Sequence, residues 1–186
     1  MVEVNIFDTR PGIKTTAMTL DEATTQLQAV LNAKTSRLVA EIQRMIVQRP
    51  FLLNEGVPKA AVNGIHFEYE WDSFLPIACP LNTTIGYCGG GEPLALFADD
   101  EDQLFPTTIG RAVLEATPMA DRESVQELLD SVMTQMYCSW FAAAWKLARS
   151  ADPAMRGFLS VHDTIWRTEL DTGEQFREDT GPVRFF

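Results

Sequence analysis

The segment Ile65-His-Phe-Glu-Tyr-Glu-Trp-Asp72 decides the fold class of this 186-residue chain. Apolar and polar residues alternate along it, which is the period of a β-strand whose successive side chains point to opposite sides. We expect a core side and a polar side, formed respectively by Ile65, Phe67, Tyr69 and Trp71 and by His66, Glu68, Glu70 and Asp72. The segment therefore predicts a strand in a sheet that buries one face.

A long helix is predicted before this strand, from Thr19 to about residue 49. Thr19 and Glu22 have the spacing of a capping box, and Pro50 disfavours helical backbone in the residue before it. Between these signals, apolar residues recur at helical spacing and form one stripe: Leu20, Leu27, Leu31, Leu38, Ile42 and Met45.

A second long helix is predicted over residues 121–150, where Asp152-Pro153 ends it. Its expected apolar side consists of Val125, Leu128, Leu129, Val132, Met136, Trp140 and Ala143. Its second half, residues 137–147, is apolar almost all round. That pattern indicates a helix that is buried on several sides or one that forms a dimer interface.

A short strand is expected at residues 2–7, and the remaining strands are expected at residues 74–81, 94–97 and 158–177. Pro76 and Pro80 place the strand at 74–81 at an edge or bend it. A turn at Asp171-Thr-Gly173 folds the last into a hairpin. The sequence thus predicts one α+β domain over the whole chain, with two long helices packed on a mostly antiparallel sheet.

The chain is strongly acidic, with 26 Asp and Glu against 15 Lys and Arg and a formal net charge of -11. This field repels phosphate backbones and anionic membrane surfaces, so neither nucleic acid nor membrane is an expected partner. It attracts a basic protein and speeds the encounter. The alternative is that the charge serves solubility alone.

The three cysteines, Cys79, Cys88 and Cys138, cannot all pair within one chain and form no CxxC motif, which favours a reducing compartment. The first residues show no basic leader followed by an apolar stretch. No apolar run approaches the roughly 20 residues of a membrane-spanning helix. The expected location is the cytoplasm.

The polar side of the 65–72 strand is the first candidate binding site. Glu68, Glu70 and Asp72 are expected about 7 Å apart in succession, and like charges on one face destabilise it unless a cation neutralises them. Lys or Arg side chains of a partner could supply that charge. An ordinary solvated face and a hard metal ion are the alternatives.

Two further features could extend this site. The acidic run Asp99, Asp100, Glu101 and Asp102 lacks the residue pattern of a calcium-binding EF-hand, so it is either part of the binding face or a solvated loop. Trp166 lies in the predicted hairpin, and Trp is favoured at binding hot spots. The predicted partner-binding residues are Glu68, Glu70, Asp72, Asp99, Asp100, Asp102 and Trp166.

Catalytic chemistry has weaker support. Cys88 precedes three glycines that suggest a flexible connector, but no cysteine-hydrolase signature supplies a base, and no phosphate-binding fingerprint is present. His162 and Asp163 would point to opposite faces of a regular strand. Histidines and cysteines show no zinc spacing. We therefore predict no catalytic residue, no metal and no cofactor.

Three segments resemble bacterial immunity proteins, the small cytoplasmic antitoxins that neutralise polymorphic or type VI effector toxins. They are Phe67-Glu-Tyr-Glu-Trp-Asp-Ser-Phe74, Leu94–Asp102, and Val161-His-Asp-Thr-Ile-Trp166 with Leu170-Asp-Thr-Gly-Glu174. The resemblance implies an acidic α+β domain without catalytic residues, which covers the active site of a basic toxin. It transfers no individual functional residue.

The leading hypothesis is therefore a binding protein of the immunity type, whose partner is a basic protein such as a cognate toxin. A small hydrolase that uses Cys88 or His162 with a carboxylate is one alternative. A dimeric adaptor that associates through the apolar helix around Trp140 is another.

Overall fold

The computed structural model describes residues 18–70, 74–94 and 107–185. These residues form three α-helices and seven β-strands, joined by three short 3₁₀ turns. In chain order they are α1 (Leu20–Gln48), β1 (Gly64–Tyr69), β2 (Pro76–Asn82), β3 (Gly86–Tyr87), β4 (Glu92–Pro93), α2 (Thr107–Ala116), α3 (Arg122–Ala148), β5 (Arg156–Val161), β6 (Trp166–Glu169) and β7 (Gln175–Arg177).

One mixed sheet joins all seven strands in the order β3-β2-β1-β5-β6-β7, with β4 also paired to β2. Neighbouring strands are antiparallel except at the centre, where β1 and β5 run parallel. A parallel pair needs a long crossover, and here the crossover contains α2 and α3. The predicted α+β fold with a mostly antiparallel sheet is confirmed.

The helices cover one face of the sheet, which we call the helix face. Phe67 of β1 packs on Phe141 of α3 with ring centres 4.9 Å apart, and Tyr69 packs on Tyr137 at 4.6 Å. Gly157 of β5 lies directly under Trp145, where a Cβ atom would be only 2.4 Å from the indole ring. The aromatic half of α3 is therefore buried by the sheet and by α1, with which α3 also packs.

The opposite face, which we call the back face, is also partly covered. A second buried cluster lies there, formed by Leu81, Phe158, Phe176, Val183 and Phe185. His66, which the alternation assigns to the polar side of β1, is fully buried next to Phe185. The alternation predicted correctly that His66 points away from Phe67, but the back face at this position is core.

The helix predictions hold closely. Thr19 caps α1, and the reciprocal hydrogen bonds with Glu22 complete the capping box. Arg49 ends the helix in the left-handed conformation, directly before Pro50. Helix α2 was not predicted, and β1 ends at Tyr69, before the predicted end at Asp72. No helix in the described ranges is long and apolar enough to cross a membrane.

Candidate functional site

Three carboxylates surround one histidine where β1 and β5 end side by side. The parallel register pairs Tyr69 with Val161, and the His162 amide donates to the Tyr69 carbonyl at 2.8 Å. The side chains near the ends of these two strands therefore lie close together. His162 Nδ1 lies 3.5 Å from Glu68 Oε2, and His162 Nε2 lies 3.9 Å from Glu70 Oε1 and 3.4 Å from Asp163 Oδ1.

A tight turn after β5 brings Asp163 into this group. The strand ends at Val161, and Asp163 has a left-handed backbone with φ of 58°. Asp is among the residues that tolerate this conformation. Thr164 closes the turn by donating from its amide and its hydroxyl to the Val161 carbonyl. The expectation that His162 and Asp163 point to opposite faces holds for a regular strand, and it does not apply here because β5 ends at Val161.

The charge of the cluster is predominantly negative. Among the described residues, His162 is the only basic side chain within ion-pair distance of Glu68, Glu70 or Asp163. The hydrogen bond with Glu68 raises the pKa of His162, and the Asp163 and Glu70 charges raise it further. All four groups remain at least partly exposed to solvent. We call them the acidic surface.

Apolar side chains border the acidic surface on the back face. Ile77 of β2 is the direct neighbour of Glu68 across the β1–β2 pair, and it is 38% exposed. Tyr87 is 36% exposed, and burial raises its pKa, to which the charge of Glu68 makes a smaller contribution. Cys79 lies on the same side, where burial and then the Glu68 charge raise its pKa to about 11. The surface thus combines carboxylates with partly exposed apolar area.

The structure brings together only part of the predicted site. Glu68 and Glu70 lie in the acidic surface. Trp166 is 47% exposed but points to the other side of β6 from Arg167, which lies on the back face against Phe185. Four predicted residues lie outside the described ranges: Asp72, Asp99, Asp100 and Asp102. Asp163 joins the surface instead, through a parallel pairing that alternation within one segment does not reveal.

A buried polar network lies next to the acidic surface. His66 Nδ1 is 2.6 Å from the Tyr87 hydroxyl, and His66 Nε2 is 2.8 Å from the Ser160 hydroxyl. Ser160 has no other hydrogen-bond partner in the described part of the chain, and the tautomer of His66 sets which group donates in each of the two bonds. Burial, and then the positive charge of Arg167, lowers the pKa of His66 to about 3.

This Ser160–His66 pair is poorly suited to nucleophilic catalysis. Both side chains are buried, so a substrate has no access to the hydroxyl. A base whose pKa is about 3 also accepts a proton weakly at neutral pH. The network instead satisfies polar groups inside the fold.

Cys88 is likewise unsuited to act as a nucleophile. Its side chain is buried, burial raises its pKa, and its thiol donates to the Gly86 carbonyl at 3.7 Å. The following Gly89 is closely packed, since a Cβ atom there would lie 2.2 Å from the Leu52 carbonyl oxygen. Gly89 also forms a β-bridge with Leu53, so it is not the flexible connector expected from the sequence.

A groove of about 490 Å³ lies between parts of α1 and α3, and its lining combines Met136 and Trp140 with the polar residues Gln28, Asn32, Gln135 and Ser139. Within the described residues, no group of three His, Cys, Asp or Glu side chains is placed to hold a metal ion.

No protein-family model, curated protein or solved structure matches this chain. The function of this chain is therefore inferred from its geometry and charge.

Proposed function

We propose that this protein is a cytoplasmic binding protein whose partner is a basic protein, and that it acts as an immunity protein by neutralising a cognate toxin. The observation that carries the proposal is the acidic surface. There Glu68, Glu70 and Asp163 share His162 as their only basic partner among the described residues. The net charge of -11 extends the same character to the whole chain.

The mechanism is stoichiometric occlusion. Long-range attraction steers a basic surface toward the chain, and the carboxylates then pair with Lys or Arg side chains of the partner. Ile77 and Tyr87 supply neighbouring apolar area whose desolvation contributes affinity. A toxin held in this way loses access to its substrate, and no covalent chemistry is required.

The proposal predicts a specific loss of binding when the acidic surface is reversed. The probe is the basic protein captured by the tagged chain, or the product of the neighbouring gene, with affinity measured at low and high salt. Glu68→Lys with Glu70→Lys should weaken binding at least about tenfold, since like charges would then face the partner. Raising the salt should weaken binding to the wild type.

The matched control is Glu123→Lys with Glu127→Lys on an exposed part of α3, which changes the net charge by the same amount. It should leave affinity largely unchanged. Circular dichroism verifies folding of both double variants. Equal affinity of the two variants would contradict the proposed site, and failure of the wild type to bind any basic partner would contradict the function.

The histidine adds a pH dependence to the same measurement. Because its pKa is raised, His162 gains charge on mild acidification and then neutralises part of the acidic surface. Affinity for the basic partner should therefore fall as pH is lowered from 8 to 6. The variant His162→Gln should bind with a flatter pH profile.

A further inference from the structure

The back face of the sheet is a socket that residues 178–185 of the same chain fill. Val183 and Phe185 are almost fully buried there. The Phe185 ring lies 5.3 Å from the His66 ring, 5.4 Å from Phe158 and 6.1 Å from Tyr87, measured between ring centres. We call residues 178–185 the closing segment.

Arg167 supplies the polar end of this socket and is only 6% exposed. Its Nη2 donates to Glu178 Oε2 at 2.5 Å, and its Nη1 donates to the carbonyls of Thr164 and Trp166. Its guanidinium carbon lies 5.5 Å above the centre of the Phe185 ring. The socket therefore binds one carboxylate and one aromatic ring at the same time.

The guanidinium still has unused binding capacity. The Nε of Arg167 is buried and has no acceptor among the described residues. A buried donor without a partner costs stability. An acceptor that reached Nε would recover that cost.

The closing segment is held by its backbone at its start and mainly by side chains beyond Thr180. The Glu178 amide donates to the Ile165 carbonyl at 2.9 Å, and the Thr180 amide donates to the Arg177 carbonyl at 3.2 Å. Beyond Thr180, the described backbone has one hydrogen bond to the rest of the fold, from the Arg184 amide to the Thr83 carbonyl at 3.4 Å. Strand β5 is in contrast paired on both sides. Segments with few backbone hydrogen bonds open at lower free energy than paired strands.

We propose that this socket is a second interaction surface, which recognises a peptide segment carrying a carboxylate and an aromatic side chain, and that the closing segment occupies it as an internal competitor. The chemistry of the ligand follows from the closing segment, which places the Glu178 carboxylate and the Phe185 ring against Arg167. The proposal does not depend on the acidic surface. That surface would bind a basic partner, whereas the socket would bind a carboxylate.

Competition within one chain sets the expected affinities. A tethered segment acts at an effective concentration on the order of millimolar, so a free peptide binds the wild type weakly. Apparent affinity rises with the fraction of molecules whose socket is empty. Weakening the closing segment should therefore strengthen binding of the free peptide.

The test uses the full chain and a labelled peptide, Glu-Asp-Thr-Gly-Pro-Val-Arg-Phe, which reproduces residues 178–185. Fluorescence anisotropy should show at least about tenfold tighter binding to Phe185→Ala than to the wild type. Adding Arg167→Met to Phe185→Ala should remove most of this gain. Adding Arg44→Met, which changes an arginine paired with Glu41 on α1, should preserve it.

A peptide that ends in Ala instead of Phe is the ligand control and should bind no variant. If Phe185→Ala fails to fold, amide spectra of the wild type at millimolar peptide replace the measurement and should shift around Tyr87 and Phe158. Absence of saturable binding to folded Phe185→Ala, or of those shifts in the wild type, would overturn the proposal.

Discussion

At the scale of single residues, burial decides the chemistry of the two histidines. His66 is enclosed between Tyr87, Ser160 and Phe185 near the charge of Arg167, so the neutral ring is favoured. His162 lies exposed among carboxylates, so the charged ring is favoured. The pKa values of the two histidines are therefore shifted in opposite directions, downward for His66 and upward for His162.

This contrast predicts acid sensitivity that depends on His66. The folded pKa is about 3 and the ordinary value is 6.5, so between these values the unfolded chain binds a proton that the folded chain does not. The contribution to stability is complete above pH 6.5 and decreases as pH falls toward 3, by up to about 1.4 kcal/mol per pH unit.

Urea denaturation at several pH values from 4 to 7.5 measures this dependence. His66→Gln keeps hydrogen-bonding groups without titrating, so its free energy of unfolding should vary less with pH. His162→Gln is the control and should retain the steep loss of stability in acid. Parallel curves for wild type and His66→Gln would refute the assignment.

At the scale of secondary-structure elements, local sequence signals set where α1 begins and ends, whereas tertiary packing determines which side chains of α3 are buried. The Glu22 amide donates to the Thr19 hydroxyl at 3.3 Å, and the Thr19 amide donates to Glu22 at 2.8 Å. In α3 the buried positions concentrate in the half that touches the sheet, while Leu128 and Ala143 of the expected apolar side are exposed.

The cap of α1 yields an element-scale prediction. Thr19→Ala removes the acceptor for the Glu22 amide and should lower the free energy of unfolding by about 1 kcal/mol. Thr25→Ala is the matched control, because its exposed hydroxyl donates only to the Asp21 carbonyl inside the helix. It should change stability by a few tenths of a kcal/mol. Equal losses in urea denaturation would contradict the role of the cap.

At the scale of the whole molecule, the sheet separates two kinds of surface. The helix face is closed by α1 and α3, while the back face carries the closing segment beside the acidic surface. The aromatic side chains of α3 are largely buried inside the fold. Trp140 is buried, and its Nε1 donates to the Thr35 hydroxyl of α1 at 2.9 Å.

We therefore predict that the isolated chain does not dimerise through Trp140. Sedimentation equilibrium over a hundredfold range of concentration should give the mass of one chain throughout. A mass that rises toward two chains, with α3 protected from hydrogen exchange in the heavier species, would favour the dimeric adaptor instead.

Local patterns in the sequence determined the α+β class, both long helices, the cap at Thr19 and the orientation of Phe67 and Tyr69. These features depend on neighbours within a few residues, where helical and strand periods are visible. The hairpin of β6 and β7 around Gly173 was predicted for the same reason.

Tertiary structure alone decided the burial of His66 and the composition of the acidic surface. Both depend on contacts between distant segments: Phe185 covers His66, and the β1–β5 pairing brings His162 to Glu68. Side-chain alternation indicates which face of the sheet a residue lies on, but it does not indicate which segment packs against that face. That information arises only when the sheet is assembled, because pairing and covering segments are far apart in the chain.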